Sequence, residues 1–451
     1  MLVTVIQSKR ADDLLSDIQK CYDASDAFEL RLDYLDEIDI KALCELRKKI
    51  HKPIIFTLRP DAYPHNEENN LSALMELAVA KPDYVDIEHT VSTSFIDEFH
   101  KRHPKIKIIR SYHNFDETPQ DLKSHLHQLE HPHCDIYKIV TYATSSHDNL
   151  TLLHFLKDHS NEYKIAAHCM GELGIPSRIL SPIVGSQLQY VSLDETQTPA
   201  PGCLSINTLL THYQGKNRGQ DTKIYALLGD PVEQSPGHIF HNEIFQKSAT
   251  EAVYVKFKVT NDELPLFLKK IKGLPFNGFS ITIPLKRDVI RFIDHFEDDC
   301  DSIGAINTVR IENDQLSGLN TDGLGALNAL EKIKPVKSKK ILIIGAGGSA
   351  KAISFEAKKR GGAAIVIINR TLEGLDDAST MGPFDFVINA LPTTVDFPIT
   401  PHFSADAVFM DINYHQPHSR LKSLALAAGC TIVDGYEMYV EQALLQQKYW
   451  F

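Results

Sequence analysis

Lys138 stands inside Ile136-Tyr-Lys-Ile-Val-Thr, an apolar, β-like run in which an ammonium is expensive to bury. A lysine so placed can have its pKa lowered until it is a neutral nucleophile towards carbonyl carbon; alternatively it points out at a strand end and pairs with a carboxylate. His113, closing Ser111-Tyr-His113, titrates near neutrality by type and suits acid–base work beside such a lysine. Three arginines accompany them: Arg31 in Phe28-Glu-Leu-Arg-Leu-Asp33, Arg59 in Thr57-Leu-Arg59, and Arg178 ending Gly171-Glu-Leu-Gly-Ile-Pro-Ser-Arg178. Guanidinium binds carboxylate bidentately, so these suit an acidic, hydroxylated substrate. Glu29 and Arg31, two apart in a strand, share a face.

A second constellation lies downstream. Ile341-Leu-Ile-Ile-Gly-Ala-Gly-Gly-Ser-Ala350 is an apolar run entering Gly-x-Gly-x-x-Ala, followed by a helix-like Lys351–Arg360. A glycine triplet alone is weak evidence, but strand before and helix after are what dinucleotide binding requires. Gly345, Ala346, Gly347, Gly348 and Ser349 would then face the pyrophosphate at a helix N-terminus. About 20 residues on, where an NAD site wants an acidic residue, stands Asn369-Arg370-Thr371, which offers a cation and a hydroxyl to a 2′-phosphate. NADP is the expected cofactor. Gly229-Asp-Pro-Val-Glu-Gln-Ser235, Phe279-Ser-Ile-Thr-Ile-Pro-Leu-Lys286, Gly304-Ala-Ile-Asn-Thr308 and Gly318-Leu-Asn-Thr-Asp-Gly-Leu-Gly325 are polar ends of β-like runs, each of which alone could be a capped turn.

The elements that must position these groups have a regular beat. Candidate strands are Leu2–Ile6, Ala27–Leu32, Pro53–Leu58, Asp83–Glu88, Ile106–Ser111, Cys134–Val140, Tyr163–His168 and Gln189–Leu193, with helical periodicity between them, as in Ala11–Cys21 and Leu71–Ala80. Eight β/α units predict a (β/α)8 barrel rather than its rival, a doubly wound open sheet, and put the chemistry at the C-terminal strand ends. Gln214–Thr222 is polar and aperiodic and reads as a linker, after which a new β/α series begins at Lys223 and another at Lys339. A length of 451 residues accommodates these parts as two or three domains, and the ordinary composition, 43% hydrophobic and 24% charged, excludes a disordered or collagen-like chain. A net charge of −12 argues against a nucleic-acid or anionic-membrane partner, while the expected sites gather Arg31, Arg59, Arg178, Lys138, Lys286 and Arg370 for anionic ligands. Seven scattered cysteines without Cys-x-x-Cys spacing point to a reducing compartment and no metal site. With no leader-like segment and no long apolar run, the expected location is cytoplasmic.

Taken jointly, Phe28-Glu-Leu-Arg-Leu-Asp, Phe56-Thr-Leu-Arg, Ser111-Tyr-His-Asn-Phe-Asp-Glu-Thr-Pro119, Tyr137-Lys-Ile-Val and Met170-Gly-x-x-Gly-x-x-Ser-Arg178 resemble type I 3-dehydroquinate dehydratase over most of residues 1–213. The downstream signatures, with Asp434-Gly-Tyr-Glu-Met-Tyr-Val-Glu-Gln442, resemble shikimate dehydrogenase from about residue 223 to Phe451. The first resemblance implies an imine between Lys138 and 3-dehydroquinate, His113 moving the protons of a syn elimination, and Glu29, Arg31, Arg59 and Arg178 binding substrate, Arg178 at its carboxylate. The second implies that Lys286 and Asp322 flank the reacting oxygen, that NADPH reduces 3-dehydroshikimate to shikimate, and that Ser235, Thr282, Asn307, Asp322 and Gln442 hold the substrate. The implied division is a barrel over 1–213, a linker over 214–222, a substrate-binding lobe over 223–337 completed by about 428–451, and a Rossmann lobe over 338–427.

The chain departs from both patterns in places. Pro199-Ala-Pro-Gly-Cys203 replaces the dehydratases' usual Ser-Ala-Pro-Gly-Gln, so closure over substrate falls to Gln197 or Thr198. Tyr63 stands where a glutamate is usual, with Glu67 or Glu68 as substitutes; Gly237 replaces a carboxylate-binding serine and could admit quinate; Gly374 replaces a second basic residue, weakening the case for NADP over NAD. Two other readings stay open: a quinate- or NAD-preferring dehydrogenase half, and a catalytically silent quinate-sensing binding protein.

Overall fold

The structure, a computed structural model, describes residues 1–59, 67–216, 218–368, 382–391, 400–414 and 419–451, with the side chains of residues 67–70 outside that description. The chain forms two compact units: residues 1–224 with 238–257 and 266–275, and residues 225–237 and 258–265 with 276–451.

The first unit is built on eight parallel strands: β1 (Leu2–Ile6), β2 (Ala27–Arg31), β3 (Ile54–Thr57), β4 (Tyr84–Glu88), β5 (Lys107–His113), β6 (Ile136–Tyr142), β7 (Ile165–Met170) and β8 (Gln189–Ser192). Each pairs with its sequence neighbour from β1 to β7, and β8 pairs with β1, so the sheet curls into a nearly closed barrel. Across the seam between β7 and β8 the Gln187 N–H reaches the Ile165 carbonyl at 2.7 Å. The predicted barrel is therefore the observed architecture, and the open-sheet rival is excluded.

Alternation along the strands decides what the barrel holds. Val3, Val5, Ala27, Ile55, Ile109, Ile136, Ala166, Leu188 and Tyr190, with Tyr84 against them, form one buried cluster. One inward position further along six of these strands come Glu29, Thr57, Asp86, Ser111, Lys138 and His168, all buried. The barrel thus has an apolar floor and, directly above it, a polar layer at the C-terminal end. Helices between the strands hide Leu14, Ile18, Leu43, Leu46, Ile96, Phe99, Leu122 and Leu126. Their starts are set by caps such as Asp39, whose carboxylate accepts from the Lys41 and Ala42 N–H groups at 2.8 and 3.2 Å.

In the second unit Phe276–Ile281, Thr308–Glu312 and Gln315–Leu319 pair antiparallel. The last two are joined through Asn313 and Asp314, both at positive φ (52° and 60°), as a two-residue hairpin demands. Because Thr308 pairs with Leu319, the hairpin brings Asn307 alongside Asn320, Thr321 and Asp322. A five-stranded parallel sheet follows, in the order Ala364–Ile368, Lys340–Ile344, Phe384–Asn389, Phe403–Asp411, Thr431–Asp434. Its two faces bury separate clusters, one containing Ile341, Ile343, Phe386 and Met410 and the other Leu342, Ile344, Val387 and Phe409. Burial on both faces explains the near-continuous apolar runs of these strands and makes the sheet Rossmann-like.

Candidate active sites

In the barrel mouth Lys138 projects from β6 into the polar layer and is almost completely buried. Its Nζ donates to Asp86 Oδ2 at 2.9 Å and to Glu29 Oε1 at 3.4 Å, and lies over the Tyr190 ring, 4.2 Å from its centroid. Lys138 therefore points inward and is also paired with carboxylates, joining the two alternatives left open by sequence. Thr57 donates to Glu29 Oε1 at 2.7 Å and Ser111 to Asp86 Oδ1 at 2.5 Å. Burial alone would push both carboxyls up; the opposing charges of Lys138 at Glu29, and of Arg59 and Lys138 at Asp86, hold them below the usual range.

His113 ends β5 between two fixed partners. Its Nδ1 is 3.0 Å from Glu88 Oε2, and its Nε2 is 3.2 Å from Arg59 Nη2. A guanidinium only donates, so Nε2 accepts and the ring proton sits on Nδ1, donated to Glu88. Burial and the charge of Arg59 outweigh Glu88 and lower the imidazole to about 4, leaving it unprotonated at neutral pH with a lone pair on Nε2. Arg59 also pairs with Glu88 and, at 3.3 Å, with Asp86.

Arg178 differs from every other cation here. It is buried, its Nε has no hydrogen-bond partner, and Nη2 reaches only the Pro201 carbonyl at 3.4 Å. Burial without an acidic neighbour lowers its pKa. Pro201-Gly202 is held against the strand-7 loop, since a Cβ on Gly202 (φ +72°) would lie 2.1 Å from the Gly171 carbonyl oxygen. Removing Arg178's charge while filling its volume, as in Arg178→Met, is expected to stabilise the ligand-free barrel by about 1–3 kcal/mol. The same change should raise KM for an anionic substrate roughly 100-fold or more. Thermal unfolding and steady-state kinetics read the two opposite effects.

Arg31 is turned to Asp33 in a bidentate pair at 3.0 and 2.7 Å and lies over Tyr34. Beside the expected Glu29, Asp86 and Glu88 stand among the cations of the mouth and pair with Lys138, Arg59 and His113, whereas Arg178 has no acidic partner. Sequence reasoning missed Asp86, Glu88, Ser111, Tyr190 and His168; the same two-residue alternation that paired Glu29 with Arg31 would have found them. Gln197 and Thr198 are exposed and Cys203 is buried. Tyr63 lies outside the described residues, as do the side chains of Glu67 and Glu68.

In the second unit Lys286 Nζ donates to Asp322 Oδ2 and, at 3.1 Å, to Ser349 Oγ, which itself donates to Asp322 Oδ2 at 2.8 Å. Asn307 Nδ2 donates to Asp322 Oδ1 at 2.7 Å and lies 3.4 Å from Gln442 Oε1. Thr321 Oγ1, 3.2 Å from Gln442 Oε1, joins them. Burial would raise the Asp322 carboxyl, but Lys286 and these hydrogen bonds lower it. Ser235 accepts from the Gly237 N–H at 3.2 Å. Thr282 packs against Gly229, where a Cβ would lie 2.3 Å from its methyl.

The glycine turn suits a dinucleotide. Gly345 has φ +125° and a Cβ there would meet the Ala390 carbonyl oxygen at 2.7 Å, so glycine is required. Ala346 and Gly347 are exposed, a Cβ on Gly347 would meet nothing within 4 Å, and the helix Gly348–Lys359 starts with no side-chain cap and no acid in its first turn. Uncapped N–H groups facing open space are what a pyrophosphate needs. Ser349, expected at the phosphates, has its hydroxyl on the Lys286–Asp322 pair. Asn369, Arg370, Thr371 and Gly374 lie outside the described residues. Among the described residues there is no cluster of three or more potential metal ligands and no helix long and apolar enough to cross a membrane.

Comparison with known proteins gives the family. The type I 3-dehydroquinase family matches residues 2–219, and the shikimate dehydrogenase substrate binding domain matches residues 227–309. The shikimate biosynthesis protein AroDE of Chlamydia pneumoniae is 33% identical over 469 residues, covering 100% of this chain and 95% of that protein. The chloroplastic bifunctional 3-dehydroquinate dehydratase/shikimate dehydrogenase of Arabidopsis thaliana is 31% identical, covering 99% of this chain and 81% of its own length. A shikimate dehydrogenase (NADP(+)) of Pyrococcus furiosus is 35% identical over 248 residues, covering 51% of this chain and 90% of that protein. Neither the quinate-sensing nor the relaxed-specificity reading is favoured by these matches. The chain belongs to the bifunctional 3-dehydroquinate dehydratase/shikimate dehydrogenase family, an enzyme of the shikimate pathway with lyase and oxidoreductase activities and a nicotinamide cofactor.

Proposed function

We propose that Lys138 is the imine-forming residue of the dehydratase and that His113 carries its protons. The observation that supports this most is a buried lysine with a neutral, Nδ1-protonated histidine one inward step above it on the adjoining strand. Lys138 Nζ, once it has given up a proton, attacks the ketone carbon; the carbonyl oxygen takes up protons and leaves as water, giving an iminium. Asp86 and Glu29, which hold the ammonium at rest, then face a cation at nearly the same place, so the covalent intermediate inherits its counter-charges. His113 Nε2 removes the proton from the adjacent carbon, Glu88 stabilising the imidazolium through Nδ1. That proton passes to the departing hydroxyl, C–O breaks, and hydrolysis returns the free lysine and 3-dehydroshikimate. Arg178 takes the substrate carboxylate, and Arg59 and Arg31 its hydroxylated rim. Borohydride reduction with 3-dehydroquinate followed by peptide mapping tests the assignment: an adduct on the Lys138 peptide supports it, and an adduct elsewhere or none overturns it.

Because Nε2 must be unprotonated, kcat/KM for dehydration should be flat above the histidine's pKa and fall tenfold per pH unit below about 4. An ordinary histidine would place that limb near 6.5. Glu88→Gln removes the charge that raises His113, so the limb should move to still lower pH. A pH profile of the two proteins checks both the position and the sign.

In the second half we propose Lys286 Nζ and Asp322 as the proton relay at the reacting oxygen, with Ser235, Thr282, Asn307 and Gln442 binding the substrate. The cofactor, when bound, supplies the hydride. Gly345, Ala346, Gly347, Gly348 and the first turn of Gly348–Lys359 would hold its pyrophosphate, with Asn369, Arg370 and Thr371 proposed at the 2′-phosphate. NADP is the preferred form on this reading, and kcat/KM with NADP against NAD tests it. The proposed division remains 1–213, 214–222, 223–337 with 428–451, and 338–427. Small acids of the pathway are the proposed partners, with no nucleic acid or membrane, and seven unpaired cysteines support a cytoplasmic location.

A further inference from the structure

Strand pairing places two histidines on one rung of the barrel. His113 on β5 pairs with Val140 on β6, and Val140 pairs with His168 on β7. At about 4.8 Å between strands the two histidine backbones lie roughly 10 Å apart. Lys138 is two residues before Val140 on the same inward face, so its side chain rises between the two histidines. The orientation of His168 follows from Ala166, two residues earlier, which belongs to the barrel's interior cluster.

The two imidazoles have opposite surroundings. His113 is held at both nitrogens, by Glu88 and Arg59. The His168 imidazole has no hydrogen bond to any described residue, although only 7% of the residue's surface is exposed; its ring neighbour is Tyr190, 6.0 Å away between centroids. Arg178, Lys138 and His113 all act on it electrostatically, and with burial they hold it neutral. A neutral imidazole has one N–H to give and one bare nitrogen to receive. The ring nitrogens of His168 are not among the sealed, unpartnered polar atoms, so they stay open to the barrel mouth, where a ligand can supply the missing partner.

We propose that His168 is a substrate-contacting residue of the dehydratase, hydrogen-bonding a ring hydroxyl of the Lys138-bound substrate from the β7 side, opposite His113. The role rests on the imine reading above. It is one of binding and orientation: no proton is transferred, and His113 remains the acid–base group. Tyr190, whose hydroxyl is buried without a partner, lies on β8 and lines the same side.

Two substitutions separate hydrogen bonding from packing. His168→Leu keeps the approximate volume and removes both polar atoms; His168→Gln keeps a donor and an acceptor. With 3-dehydroquinate, H168L is expected to raise KM about tenfold while kcat changes less than about threefold, and H168Q to recover most of the loss. Dehydrogenase rates with shikimate and NADP, and borohydride adduct at saturating 3-dehydroquinate, should match wild type in both variants. An unchanged KM in H168L, or equal KM increases in H168L and H168Q, overturns the proposal and leaves the imine assignment standing. Failure of the wild type itself to form the Lys138 adduct overturns the imine reading and this role with it. Should H168L not accumulate as folded protein, H168Q against His168→Ala gives the same contrast, with H168A expected to lose what H168Q keeps.

Discussion

Lys138→Ala is expected to lower the dehydratase rate on the order of 10⁴-fold or more, because no neighbouring group can replace an amine that forms a covalent bond to substrate. Conversion of 3-dehydroquinate should stop and borohydride should trap nothing. The same protein supplied with 3-dehydroshikimate should oxidise NADPH at the wild-type rate. The substitution also leaves Glu29 and Asp86 buried without their shared cation. Asp86 keeps Arg59 and the Ser111 hydroxyl, so the loss of stability should fall at about 3 kcal/mol, the lower end for breaking a buried pair. That loss should be measurable in thermal unfolding of the barrel and grow as pH rises and both carboxyls ionise. A wild-type dehydratase rate in K138A would remove imine chemistry from the account altogether.

The reciprocal experiment is Lys286→Ala, for which reduction of 3-dehydroshikimate should fall by about 10²–10⁴-fold while dehydration continues. From 3-dehydroquinate this protein should accumulate the conjugated enone product of the first step with little NADPH oxidised. Asp322→Asn separates charge from shape: the amide can still meet Ser349 and Asn307 but cannot hold the ammonium as a carboxylate does. Its effect should lie in kcat rather than KM, since Asn307 and Gln442 remain in place for substrate. Equal losses in both activities for either variant would point to misfolding instead of lost chemistry.

Much of this was legible in the chain. The eight strands stand where alternation and turn residues placed them, within a residue or two at the ends, because a strand buried on both faces needs an unbroken apolar run. Lys138 and His113 were visible because a cation or a histidine in an apolar strand is conspicuous, and Arg59 and Arg178 because each follows a strand closely, Arg59 just past β3 and Arg178 in the helix after β7. Asp86 and Glu88 were not, since a carboxylate at a strand end reads as a solvated terminus until the barrel is closed and the inward face is known. Arg31 is in the right strand, yet whether it serves Asp33 or a ligand depends on a two-residue local turn that periodicity does not describe. Ser349 shows the limit most clearly: its motif speaks only of phosphates, and the hydroxyl's contact with Asp322 and Lys286 arises from residues 27 and 63 positions away.

The layering of the barrel has a consequence for how its sequence can vary. Floor and polar layer are separated by one inward step on six of the strands, so these strands are locked in phase, and a slip of a single residue in β4 would turn Asp86 and Glu88 outward and bring Val85 and Ile87 into the mouth. Arg59 and His113 would lose their counter-charges at once and Lys138 would keep only Glu29, although no charged residue had been deleted. Insertions in the loops leave the phase untouched. Length variation in this half is thus confined to the connections, whatever freedom individual side chains retain.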